Sequence, residues 1–244
     1  MMIHWLISMA LATPPTWSAL PVCTDDVAAC DLVYTAQPKP TRNPALLRFT
    51  DPDLSDPKWV PLHVERLLDP NTPENIQLAL ITLLQQSDIE SIEDRLLPLF
   101  ESKSAELRAG MTELLPKLTL NSQRSVISVL IEDDDWLVRA QLMRVVARHL
   151  GTTHPEALVD GLVDEHSDVR LHAIKGLGWN DVTIPIDQLS PLLQDTDSRV
   201  RLYTLRTIER LYPGSLVKLK LLTPLLDDPD PKVHREILRI QTAH

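Results

Sequence analysis

The stretch Leu193-Gln194-Asp195-Thr196-Asp197-Ser198-Arg199-Val200-Arg201 sets two aspartates and a Val-Arg pair at fixed distances, and its parts recur along the chain. Val138-Arg139, Val169-Arg170 and Val200-Arg201 follow one another at intervals of 31 residues. Sliding that interval in both directions gives six aliphatic anchors, Ile76, Leu107, Val138, Val169, Val200 and Val233, separated by 31, 31, 31, 31 and 33 residues. A fixed period of roughly 20 to 50 residues marks a chain built of stacked units, each burying its apolar face on its neighbours.

The period also predicts the secondary structure. Four residues beyond the first five anchors stand Leu80, Met111, Leu142, Ala173 and Thr204, and eight beyond stand Leu84, Leu115, Val146, Leu177 and Ile208. Offsets of 0, 4 and 8 form one stripe of a helix, so each anchor opens an amphipathic helix. Upstream of the anchors lie further apolar runs, Trp59 to Leu68, Ile92 to Phe100, Val126 to Ile131, Ala157 to Val163, Ile186 to Leu193 and Leu216 to Leu226. Each unit is therefore expected to be a helical hairpin. In the turn, Asp133, Asp164, Asp195 and Asp228 stand five residues before their anchors, while Arg108, Arg139, Arg170 and Arg201 stand one residue after. The aspartates are expected to cap helix N-termini, and each Arg to reach a neighbouring unit's turn, giving a ladder along the stack.

The pattern Leu-x-Asp-x-Asp-x-x-Val-Arg, with Val169-Arg170 running on to Gly176-Leu177-Gly178, resembles the short HEAT repeat of the phycobilisome-lyase type over about residues 58 to 244. The resemblance implies an all-α fold, a right-handed α-solenoid of about six helical hairpins with the Val-Arg helices lining the concave side. Three domains of the sequence follow: residues 1–19, a signal peptide; residues 20–57, a Pro-rich arm; residues 58–244, the repeats.

Composition agrees with helices separated by corners. Of 244 residues, 20 are Pro and only 6 are Gly, and eight prolines precede residue 58. The formal charge of −10 argues against a general nucleic-acid binder, which needs a basic footprint to displace counterions from phosphates. Residues 3 to 12 form a short apolar run ending at Ala10-x-Ala12, with a second small-residue stop at Ser18-Ala19, as in a secretory signal peptide cleaved after Ala12 or Ala19. The run is too short for a stable membrane span, which takes about 20 apolar residues. Export to the periplasm or its equivalent would let Cys23 and Cys30 form a disulfide worth on the order of 2 to 3 kcal/mol. The competing reading keeps them as two buried thiols in a short helix, with Thr24 as the N-cap for Asp25 to Val33. Leu46, Leu47 and Phe49 in the arm are expected to cover the first repeat.

No sequence feature points to catalysis or a cofactor. Deoxyhypusine hydroxylase, an enzyme on the same scaffold, holds iron through His-Glu dipeptides, and none occurs here. A Gly-rich phosphate loop, a Gly-x-Ser-x-Gly elbow and a His-Glu-x-x-His are missing too. His149, His154, His166 and His172 cluster in sequence around the third and fourth repeats, but without ligand spacing inside one element; surface and interface histidines are the expectation, metal binding the alternative.

Function is expected on rows that vary between repeats. At offset 6 stand Thr82, Glu113, Arg144, Lys175, Arg206 and Arg239, and at offset 10 Arg148, Trp179 and Arg210. Offset 2 contributes Leu171 and Leu202, and offset 3 His172 and Tyr203. An acidic chain thus carries a basic row beside apolar and aromatic groups, a mixture found at interface hot spots. The expected partner is another protein, through an acidic or amphipathic segment, with no nucleic acid and no cofactor. The alternative is a cytoplasmic enzyme accessory or lyase of the bilin-lyase type. The last repeat has no polar capping helix after it, so self-association through that end is also expected.

Overall fold

The structure is a computed structural model that describes residues 57–243. The predicted signal peptide, the cysteines and Leu46, Leu47 and Phe49 lie outside the described residues. The rest is an all-α solenoid of six hairpins. Helices α1 (Val60–Leu68) and α2 (Glu74–Leu84) form the first, α3 (Glu93–Leu96) and α4 (Ala105–Met111) the second, and α5 (Leu120–Leu130) and α6 (Trp136–Val145) the third. Helices α7 (Pro155–Asp160) and α8 (Ser167–Trp179), α9 (Ile186–Leu189) and α10 (Ser198–Leu211), and α11 (Ser215–Lys218) and α12 (Pro231–Ala243) complete the set. Each even-numbered helix packs on the next, from α2 on α4 through to α10 on α12.

Several first helices are shorter than the apolar runs that predicted them. Helices α3 and α9 tighten into the 3-10 segments Leu97–Glu101 and Ser190–Gln194, where Pro98 and Pro191 sit in the first turn and withhold a backbone donor. The run Leu216 to Leu226 is not one helix. Lys220 takes a left-handed φ of 55° between α11 and the 3-10 turn Thr223–Leu225. This break helps absorb the two residues by which the last interval exceeds 31.

Every residue at offsets 0, 4 and 8 named above is buried, from Ile76 to Val233. Full burial of a Val or Leu side chain is worth about 1.5 to 3 kcal/mol, so this stripe dominates the stability of the stack. Close approach of α8 to α7 and to the turn that continues α6 at Val146–Leu150 depends on Gly176: a Cβ there would lie 2.6 Å from Leu158 Cδ2 and 2.8 Å from Ala147 Cβ.

The Arg column forms the expected ladder. Arg108 Nε donates to Asp133 at 2.6 Å, Arg139 to Asp164 at 2.7 Å, Arg170 to Asp195 at 2.6 Å and Arg201 to Asp228 at 2.7 Å. In each rung an Nη2 donates to the second carboxylate oxygen, at 2.7 to 3.1 Å. The remaining Nη1 of each Arg donates back to a carbonyl of its own turn, Ser102, Asp133, Asp164 or Asp195. One guanidinium thus clamps two successive turns. Gln77 keeps only the backward bond, to Leu67 O at 2.9 Å, and Ser102 stands where the second repeat would need its Asp.

The rung aspartates do not cap helices. Each instead accepts from the backbone N–H two residues on, at Asp135, His166, Asp197 or Asp230, which folds the turn back on itself. Capping falls to the residue at that second position: Ser104, Asp135, His166 and Asp197 accept from the first turn of α4, α6, α8 and α10, and Asp230 from Lys232 N–H. Both acidic positions of Asp-x-Asp therefore have structural work, the first between repeats and the second within one.

Candidate protein-binding face

The even-numbered helices present offsets 3 and 6 toward one another, so the variable rows interlock. Residues at offset 6 of one repeat meet offset 3 of the next. Glu113 accepts from Gln141 Nε2 at 2.6 Å, Lys175 Nζ stands 4.3 Å from the centre of the Tyr203 ring, and Arg206 Nε donates to Glu236 at 3.2 Å. The row also pairs with itself: Arg144 donates to Glu113 at 2.9 Å. The result is a polar rail from α4 to α12, joined between α6 and α8 by the charge of Arg144 beside His172 and not by a hydrogen bond.

At its C-terminal half the rail borders a groove of about 710 Å³ between α8, α10 and α12. Lys175, Tyr203, Arg206 and Arg239 line it, and Leu171 and Leu202, 5% and 7% exposed, supply its floor. The apolar row at offset 2 is therefore a nearly buried base and not an open strip. Tyr203 lies between two cations, with the Arg206 guanidinium 5.5 Å from its ring. Six cations line the groove, Lys175, Arg199, Arg206, Lys232, Arg235 and Arg239, against two carboxylates, Asp230 and Glu236.

Those charges are not equally available. Glu236, 9% exposed at its side chain, is shared by Arg206 and Arg239, and Arg199 pairs with Asp168 at 2.9 Å and with Asp197. Among the described residues no carboxylate lies within ion-pair distance of Lys175 or Lys232. Positive charge is thus least offset at Lys175, whereas Lys232 follows an acidic turn and, after the Ser198 hydroxyl, helps hold the Asp230 carboxyl below its ordinary value. The neighbouring His172 senses the same field: partial burial first, then Lys175, Arg144 and Arg148, hold its pKa below the ordinary histidine value.

Other predicted residues stand outside the groove. Arg144 faces Glu113 one repeat earlier, with His172 beside it. At offset 10, Arg148 and Trp179 are exposed, and Arg210 donates to Asp181 at 2.8 Å. Sequence reasoning placed Glu113 in the row but missed Glu236 and the contribution of Arg199, Asp230 and Lys232 from the turns. A signal for Glu236 existed: it occupies offset 3, the row that meets offset 6 of the preceding helix.

The histidines separate. His154 is 1% exposed, with Nε2 2.9 Å from Gln123 Oε1; His166 caps α8 and stacks on Trp136 at 3.9 Å; His149 is exposed. Among the described residues no three His, Cys, Asp or Glu side chains converge as a metal site. Nor is any described helix long and apolar enough to cross a membrane.

Hairpins in register, clamped turn to turn and presenting one continuous helical face, define a solenoid of the protein-interaction scaffold class. A family model described as HEAT repeats matches residues 124–201 and 155–240, and the hairpins of that span are HEAT repeats. Among solved structures, one engineered protein is 20% identical, with 75% of this chain and 96% of that one covered at a TM-score of 0.49. A second is 19% identical, with 78% of this chain and 59% of that one covered, also at 0.49. No curated protein matches.

Proposed function

We propose that the chain is a non-enzymatic scaffold that holds an acidic or amphipathic segment of another protein in the groove between α8, α10 and α12. The observation that carries this reading is the sign of the groove: six cations against two carboxylates, on a chain whose formal charge is −10. Tyr203 adds an amphipathic anchor over the apolar floor, the residue type enriched where interfaces concentrate their energy. Site and partner attract at long range, which raises the association rate and discriminates against basic partners. The same reading takes the chain to be exported, on the strength of the apolar run at residues 3 to 12 and its Ala-x-Ala stop.

The test is fluorescence anisotropy of a labelled peptide carrying four glutamates among apolar residues, titrated with the chain. A peptide with glutamine in place of glutamate is the control. Lys175→Glu and Lys232→Glu are the informative reversals, because reversing Arg144 or Arg206 would set like charges beside Glu113 or Glu236. The acidic peptide should bind at least tenfold more tightly than the control, and the double reversal should erase the difference. Equal affinity for both peptides, or displacement of the acidic peptide by duplex DNA at sub-stoichiometric concentration, would overturn the proposal. N-terminal sequencing of the mature chain tests export; a start at Met1 or Met2 refutes it.

A further inference from the structure

The face that carries the basic groove carries a second, different groove at its other end. Between α2, α4 and the start of α6 lies a hollow of about 360 Å³, floored by Leu78, Ile81, Ala109 and Gly110 and walled by Leu137. No lysine or arginine lines it; its polar lining is Thr82, Gln85, Gln141 and the carboxylates Glu106 and Glu113, which turn an acidic ligand away. Gly110 keeps the floor smooth: a Cβ there would meet Leu78 Cδ2 at 2.6 Å, so α2 and α4 approach over bare backbone. Leu137, 42% exposed, is one of the largest apolar side chains left open to solvent on this side of the stack.

The two grooves belong to one rail. Its offset-6 row changes sign between the second and third repeats, from Thr82 and Glu113 to Arg144, Lys175, Arg206 and Arg239, and the Glu113–Arg144 ion pair closes the seam at 2.9 Å. An all-acidic ligand would be attracted at the α8–α12 end and repelled by Glu113 at the other. An all-apolar ligand would leave the cations and Tyr203 unused. Charge and polarity therefore complement a segment that is acidic at one end and apolar at the other.

Resting on the proposed scaffold function, we infer that the partner segment is bipartite, with its apolar residues on the Leu78–Leu137 hollow and its carboxylates around Lys175 and Tyr203. The hollow centres on α4 and the basic groove on α10, three repeats away. Packed helices lie about 8–10 Å apart, so the two centres are separated by roughly 27 Å. An extended chain advances about 3.3 Å per residue, which puts roughly eight residues between the apolar and acidic ends of the ligand. A helix of that length would reach only about 12 Å.

Three labelled peptides test the inference by anisotropy: four glutamates alone, the same four joined to a Leu-Leu pair through an eight-residue polar linker, and the same through a three-residue linker. The long bipartite peptide should bind about tenfold more tightly than the other two. Leu137→Asp places a carboxylate in the first turn of α6, where the helix N-terminus tolerates it, so the fold should survive. That variant should bring the long bipartite peptide down to the affinity of the acidic one and leave the acidic peptide unchanged. Lys175→Glu should weaken all three. Equal binding of bipartite and acidic peptides, or indifference of the bipartite peptide to Leu137→Asp, overturns the bipartite reading and leaves the basic groove standing. Indifference of all three peptides to Lys175→Glu overturns both.

Discussion

Replacing Arg170 by Ala should cost about 3 kcal/mol of stability. The guanidinium donates to Asp195 through Nε at 2.6 Å and Nη2 at 2.8 Å, and to the carbonyls of Asp164 and Glu165 through Nη1 at 2.7 and 2.9 Å. The Arg170 side chain is 13% exposed and that of Asp195 only 5%. An exposed ion pair is worth about 0 to 1 kcal/mol, whereas removing one partner of a buried pair costs about 3 to 5. Burial of Asp195 sets this rung near the lower edge of the second class, because the truncation leaves the carboxylate only the Asp197 N–H, at 2.8 Å, as a donor. Arg170→Lys keeps the charge but loses the fork that spans both turns, and about half the cost should remain. The assay is urea unfolding followed by circular dichroism at 222 nm, for Arg170→Ala, Asp195→Ala and the double variant. The cycle should return a coupling of about 2 kcal/mol, since the two residues act as one unit. In a stack stabilised by nearest-neighbour interfaces, hydrogen exchange should also rise first in α8 and α10. A change within about 0.5 kcal/mol for Arg170→Ala, or single-variant costs that simply add, would refute the assignment of the ladder as the joint between repeats.

Two further outcomes follow from the same geometry. Gly176→Ala improves helix propensity by at most about 1 kcal/mol, but its Cβ would press on Leu158 and Ala147, so the variant should be destabilised by about 1 to 3 kcal/mol, read as a lower Tm. Acid should loosen the turns over a defined window. The Arg199 side chain holds the Asp197 carboxyl at about 2 against burial, with help from the Arg199 backbone N–H, and Arg201 holds Asp228 below the ordinary range. Folded values below the unfolded one mean stabilisation that is complete above about pH 4 and lost as pH falls toward 2. The urea midpoint should therefore drop steeply across that window and stay flat from pH 5 to 7; a midpoint unchanged at pH 2.5 would contradict it.

The repeat architecture was legible because its cause is periodic. A helix that must bury offsets 0, 4 and 8 on identical neighbours repeats those residues, and a turn that must be clamped repeats its Asp and Arg. The same logic made the Arg–Asp ladder readable, since Arg139 and Asp164 stand one repeat apart in register. What each Asp of Asp-x-Asp does was not readable, because both carboxylates are chemically able to cap and only the path of the turn decides. The break at Lys220 hid for a related reason: the run Leu216 to Leu226 is apolar enough for a helix, and nothing in its composition forces a left-handed residue.

The basic row was visible in the sequence, but its availability was not. Arg144 and Arg206 read as equals of Lys175 along the chain, and packing of successive helices sets Glu113 and Glu236 against them while leaving Lys175 over Tyr203. The sequence by itself determined the number of repeats, their stripe and their clamps, which are local patterns repeated at one interval. Only the tertiary structure decided which cations remain open, because a charge's partner comes from the neighbouring helix and not from its own.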